Sequence, residues 1–371
     1  MIDAPGPWGT GPFTLTEGYS SLRAEVGLIS ADPFACTWLP TALPRSDRLV
    51  LEAHTGYWNT ARGPRLEKVV FRNDISPAEA LELVCTIEGE VDILTEVLPT
   101  DAATVESSEH ARLVTVDAMR LVSGVINRGA ADVPLDDVCA RKALNLAVDR
   151  DRIIKEAFAG HAHPISAMTP PYAAGVSEGQ QPYPHYPERA KNLLDEAGWP
   201  AGRALRLAAT TDVEGVARLL ADDFRTSLGI EVDLVIVPDE ELLAAQHALV
   251  EKVFPLPFDV LVHAWFDLAA DAPPAVVHRE YFHSGGAFRA GPPIPAFEEL
   301  IGRFVAQTDG ERLQAVAAEI DRFVYDEALA VFLCAPMALY AVNNHVNFTG
   351  HAATFELAET EVDQDHWSRR A

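Results

Sequence analysis

The chain has 371 residues, and 29 Lys and Arg against 55 Asp and Glu give a formal net charge of −26. A surface so acidic lacks the cationic footprint that nucleic acids and anionic membranes select. No run reaches the roughly 18 to 20 consecutive apolar residues of a spanning helix, and a hydrophobic fraction of 48% is that of a folded globular protein.

From the N-terminus, Met1 to Pro7 shows neither the basic nor the apolar region of a secretory signal. Phe13 to Thr16 begins a strand. Residues 18–47, with Pro33, Pro40 and Pro44, read as a long irregular excursion. Arg48 to Ala53 and Leu66 to Phe71 alternate as strands. Ser76 is an N-cap candidate, with Pro77 at the first helical position and Glu79 in the capping-box position, for a helix running to Glu88. Val91 to Leu94 is a short buried strand.

A long helix is expected after Pro134-Leu135-Asp136-Asp137, with Val138, Ala143, Leu144, Ala147, Ile153, Ile154 and Ala157 on one apolar face and Gly160 as its stop. A second helix spans Pro187 to Ala197 before Gly198. Strand Ala204 to Thr210, helix Glu214 to Leu228 and strand Ile230 to Val237 form a strand–helix–strand unit, which implies a crossover and an α/β fold. Phe258 to Ala264 is a further strand, followed by a loop opening at Trp265. Helices around Pro295 to Gln307 and Glu311 to Tyr325 precede strands at Leu329 to Cys334 and Leu339 to Asn343. The four cysteines, Cys36, Cys85, Cys139 and Cys334, are scattered without a CxxC pair and read as structural thiols.

Several of these segments, in order, carry a family resemblance. Trp8-Gly9-Thr10-Gly11-Pro12-Phe13, Arg48 to Ala53 closing on Gly56-Tyr57-Trp58, and Lys68 to Phe71 resemble the opening motifs of family 5 solute-binding proteins, the peptide- and nickel-binding components of ABC importers. Asn127, Pro134 to Arg150 and Tyr186 to Pro200 resemble two further family motifs. The resemblance implies a two-lobe periplasmic-binding-protein type II architecture. In the family the glycine-threonine-glycine motif lies well inside the chain, whereas here it starts at residue 9. Part of the first lobe and the extra subdomain are therefore expected to be missing, as is a signal. The expected division is 1–120 for the first lobe, 121–329 for the second, and 330–371 returning to the first.

The resemblance also implies a site between the lobes, where a tryptophan after a strand stacks on the ligand and a nearby aspartate takes its amino group. Trp265 stands where that tryptophan is expected; the aspartate position three residues on is Leu268 here, so Asp267 or Asp271, which flank it, would serve after a short slip, and a buried carboxylate suits an amine through a charge-assisted hydrogen bond. His263 and Tyr281 are expected in the same wall. Arg120 and Arg128, near the expected lobe crossing, could hold a ligand carboxylate. His263, His278 and His283 could in principle meet a metal, yet their spacing fits no compact motif, so neither metal nor cofactor is expected. The acidic pairs Asp136-Asp137, Asp222-Asp223, Glu240-Glu241 and Glu298-Glu299 read as capping or solvated faces.

No nucleophile elbow, phosphate loop or dinucleotide fingerprint is present. The leading expectation is a soluble binder of a small peptide-like or other polar organic ligand, serving an ABC permease if exported. A homodimer is expected to cover the missing cleft wall, and no nucleic-acid partner is expected. The alternative is a cytoplasmic biosynthetic enzyme that uses the same cleft for acid–base or condensation chemistry, with Asp267, Asp271 or a histidine as the acid or base. The location is cytoplasmic as the chain stands, or periplasmic or extracellular if a signal was removed.

Overall fold

The computed structural model describes residues 9–18, 46–173, 176–177, 179–238, 241, 258–266, 275–352 and 354–370. The irregular excursion read from the sequence lies almost wholly outside them, as do Asp267, Asp271 and Cys36. The chain divides into two units, Met1–Val116 with Ala338–Ala371, and Asp117–Met337.

In the first unit, β1 (Phe13–Glu17), β2 (Arg48–Ala53) and β3 (Lys68–Arg72) form an antiparallel sheet in that order. Helix α1 (Pro77–Thr86) starts where its cap predicts: the Ser76 hydroxyl accepts from the Glu79 N–H at 3.2 Å, with Pro77 first in the helix. Strand β4 (Ile93–Leu94), helix α2 (Ala102–Glu106) and strand β5 (Ala111–Val116) complete the N-terminal part.

The second unit is built on a six-stranded mixed sheet. Strand β6 (Arg120–Ile126) is followed by helices α3 (Val138–Leu146) and α4 (Arg150–Phe158), where one long helix was expected. The break has a local cause. Asp149 leaves the helical conformation and its carboxylate accepts from the Arg152 N–H at 3.0 Å, which starts α4 afresh. Then come β7 (Ala162–Pro164), α5 (Pro187–Glu196), β8 (Leu205–Thr210), α6 (Glu214–Leu228), β9 (Val232–Val237), β10 (Val260–Phe266), α7 (Ala275–Phe282), α8 (Pro295–Val305), α9 (Gly310–Asp326) and β11 (Ala330–Pro336).

The strand order is β7-β11-β6-β10-β8-β9. β8 pairs in parallel with both β9 and β10, while β6 lies antiparallel between β10 and β11. The strand–helix–strand unit of the sequence is therefore β8-α6-β9. Val216, Ala217, Leu220, Ala221, Phe224 and Leu228 of α6 are buried, each large side chain contributing about 1.5–3 kcal/mol of apolar burial. Gly229 ends the helix at φ +70°, a left-handed cap that suits glycine. In β6, a Cβ on Gly124 would lie 2.8 Å from Val260 Cγ1 and 3.1 Å from Val331 Cβ, so the flanking strands close over this position because it has no side chain.

The chain returns to the first unit with β12 (Ala338–Asn343), which pairs with β4 and β5, and with the short hairpin of β13 (Val346–Asn347) and β14 (Glu361–Val362). Ala330–Pro336, expected in the returning segment, is instead a strand of the six-stranded sheet. Its seven residues are all buried, which requires a sheet covered on both faces.

Candidate functional site

Trp265 was expected to open a loop. It lies in β10, which runs two residues further than the sequence pattern predicts. The register sets Trp265 opposite Leu121 and His263 opposite Ser123 of β6, so these four side chains share one face. β8 and β10 are parallel; β8 ends at Thr210, one step past the Ala209–Val262 pair, and β10 runs on at the same edge to Phe266. In open α/β sheets this edge is where ligands bind.

Helix α7 brings Tyr281 to the same face. Its ring stands edge-on to Trp265 at 5.5 Å and 81°, and stacks on Phe288 at 5.4 Å and 28°. Phe288 meets Trp265 at 5.4 Å and 75°. Three aromatic rings thus pack mutually in the edge-to-face and offset arrangements their quadrupoles favour. His263 Nδ1 lies 3.2 Å from the Ala264 carbonyl and Nε2 lies 3.1 Å from the Tyr281 hydroxyl. The Nδ1–H tautomer satisfies both contacts, with the tyrosine O–H donating to Nε2. Burial holds the imidazole pKa down to about 4 and raises that of Tyr281, so both groups are neutral near pH 7.

Two polar atoms here are left over. Trp265 Nε1 and Ser123 Oγ are buried and have no hydrogen-bond partner among the described residues. Buried donors of this kind are rare, because an unmade hydrogen bond costs about 1–3 kcal/mol. An indole N–H can only donate, so its complement is a carbonyl or carboxylate oxygen.

The two expected arginines part company. Arg120 begins β6 at this edge, half-exposed and 3.7 Å from Asp212, whose carboxylate also takes the Thr210 hydroxyl. Arg128 lies beyond the far end of β6. It is buried, donates to the Pro292 carbonyl at 2.8 Å and stands 3.7 Å from Asp136. Desolvation lowers its pKa to about 10. The structure therefore brings His263, Trp265, Tyr281 and Arg120 to one edge and leaves Arg128 away from it. Asp267 and Asp271 lie outside the described residues.

The three histidines go to separate partners. His263 faces Tyr281, His278 is buried against Met168, and His283 pairs with Glu298 at 2.8 Å. Among the described residues no group of three His, Cys, Asp or Glu could hold a metal ion. Glu298 also accepts from the Ser284 N–H and hydroxyl, so it is tied into a turn and not simply solvated. Asp223 departs from expectation too. It is buried and takes Arg152 at 2.6 Å and the Asp149 N–H at 3.0 Å. Phe288, Ser123 and Asp212 were not foreseen. Phe288 follows a glycine-rich turn, and no periodic signal marks it.

Residues 4–286 match the family described as bacterial extracellular solute-binding proteins, family 5. The chain is 30% identical over 165 residues to the dipeptide-binding protein of Escherichia coli (strain K12), which covers 44% of this chain and 30% of that protein. It is 28% identical over 196 residues to the glutathione-binding protein GsiB of Salmonella paratyphi A, which covers 53% of this chain and 32% of that protein. Each match thus spans about a third of the relative's length. Among solved structures, the ABC transporter substrate binding protein CtaP of Listeria monocytogenes superposes with a TM-score of 0.75 at 18% identity, over 95% of this chain and 67% of that one, a likeness of fold. The matched span exceeds half of the sequence and the α/β fold agrees with it; the chain belongs to family 5 of the bacterial extracellular solute-binding proteins.

Proposed function

We propose that the protein binds a small peptide-like or other polar organic solute, and that Trp265, Tyr281 and His263 form part of the surface that receives it. The observation that carries the reading is the buried indole N–H of Trp265, without a partner among the described residues and set in an aromatic cluster at the carboxyl end of β10. Such a cluster supplies apolar contact area, and one fixed donor supplies orientation. A peptide offers both complements, apolar side chains and carbonyl or carboxylate oxygens. The named ligands of the two relatives, a dipeptide and glutathione, are of this kind. Arg120 is placed to meet a carboxylate by exchanging its long contact with Asp212. Asp267 or Asp271 would take the amino group.

The bound form would be handed to an ABC permease, outside the cytoplasm, as the family description implies. No helix among the described residues is long and apolar enough to cross a membrane. Isothermal titration with di- to tetrapeptides and glutathione tests the reading. Saturable binding by the parent chain and its loss in Trp265→Ala, with the variant still folded by circular dichroism, is expected. Equal affinity in the two proteins would remove Trp265 from the site.

A further inference from the structure

Helix α7 carries Tyr281, and one turn earlier it carries His278, whose side chain is fully buried. Apart from the Tyr281 hydroxyl's bond to His263, the neighbours of Tyr281 and Phe282 on this helix are other aromatic rings, among them Phe288 and Phe297. Contacts between rings are weakly directional and admit several rotations of a short helix. A buried hydrogen bond admits few, because leaving its partner unsatisfied costs about 1–3 kcal/mol.

His278 makes such a bond. The Met168 N–H donates to its Nε2 at 3.3 Å. The next residue, Thr169, donates its hydroxyl to Asp321 of α9 at 2.9 Å, and the Ser177 N–H donates to the same carboxylate at 3.2 Å. Arg322 donates to the Ser177 hydroxyl at 3.0 Å. His278 Nε2 and Asp321 stand 3.8 Å apart, too far for a hydrogen bond. The two side chains therefore grip adjacent residues of one segment, and through it α7 is registered against α9.

We propose that His278 is a positioning residue that fixes the rotation of α7, and so the placement of Tyr281 against His263 and Trp265. Its functional consequence rests on the solute-binding reading above; its structural consequence does not. The proposal also assigns a protonation state. Because Nε2 accepts from Met168, the proton is on Nδ1, which has no acceptor among the described residues.

The test uses protein labelled with 5-fluorotryptophan, which contains six tryptophans; the Trp265 resonance is identified by its absence in Trp265→Phe. His278→Phe keeps a ring but no acceptor, whereas His278→Gln returns a carbonyl oxygen at similar reach. The Trp265 resonance is expected to move in His278→Phe and to return towards its original position in His278→Gln. Peptide affinity should follow, falling about fivefold in the phenylalanine variant, the equivalent of one neutral hydrogen bond. A folded His278→Phe protein with an unmoved Trp265 resonance overturns the proposal. Should that variant not fold, nitrogen spectra of histidine in the parent protein decide: a neutral Nδ1–H form supports the proposal and an Nε2–H form overturns it. A moved resonance with no peptide bound even by the parent protein keeps the positioning role and removes the solute reading instead.

Discussion

The two ends of β10 are built on opposite principles. At its start, Asp259 is fully buried and fully engaged, taking the Arg206 N–H at 2.7 Å, the Arg206 guanidinium at 2.6 Å and Arg203 at 3.0 Å. Its carbonyl receives the Asn127 N–H, and the Asn127 amide reaches the Phe258 carbonyl. At its end, the indole donor of Trp265, packed on Tyr281 and Phe288, and the hydroxyl of Ser123 on the neighbouring strand have no partner among the described residues. The strand is the same, but its start is fully buried whereas His263 and Trp265 are only partly so. A saturated polar network rigidifies the sheet and leaves nothing for a ligand to complete, while an unsaturated one is a fixed cost that an incoming acceptor relieves.

The largest expected effect lies at the saturated end. Asp259→Ala removes the buried carboxylate that Arg203 and Arg206 share, leaving both with only Asp132 as an acidic partner and the Arg206 N–H unmet, and should lower stability by about 3 kcal/mol, read as the urea midpoint, with no direct effect at Trp265. The histidines come next. His263 and His278 are held at about 4 and about 3, below the ordinary 6.5. Between pH 6.5 and 4 the unfolded chain therefore binds more protons than the folded one, and stability falls as pH falls through that window. His263→Gln should flatten the slope by up to one proton, at most about 1.4 kcal/mol per pH unit. An unchanged slope would mean that His263 is not held neutral by burial.

Between the two ends, Gly124→Ala forces a methyl against Val260 and Val331 and should cost about 2 kcal/mol, part of it recovered by adding Val260→Ala. The smallest effect is the most informative. Trp265→Phe keeps a ring and removes the donor, so it should weaken peptide binding by about three- to tenfold while leaving thermal stability nearly unchanged. A large loss of stability with affinity retained would make the indole N–H a structural group and erase the contrast.

The periodic parts of this fold could be read from the sequence. α6 was bounded at both ends because its apolar spacing runs unbroken to Gly229, and β2 because its alternation is clean. β6, at the middle of the sheet, left no comparable signal, since Ser123 and Gly124 interrupt its apolar run for reasons that lie on the neighbouring strands. The site was legible only as residue types. Trp265 could be singled out, but its membership of the strand, and therefore its face, depends on pairing with Leu121. The His263–Tyr281 hydrogen bond joins residues eighteen apart that only the docking of α7 brings together. Asp223 shows the reverse limit: two adjacent acids look alike in sequence, yet one is buried on Arg152 and its neighbour is exposed.

The most direct test of the central claim follows the fluorine resonance of 5-fluorotryptophan at Trp265 while a dipeptide or glutathione is titrated into the parent protein. A saturable shift at Trp265, with an affinity matching the calorimetric one, is the expected result. Calorimetric binding that leaves the Trp265 resonance in place would contradict the assignment of the ligand surface to this end of β10.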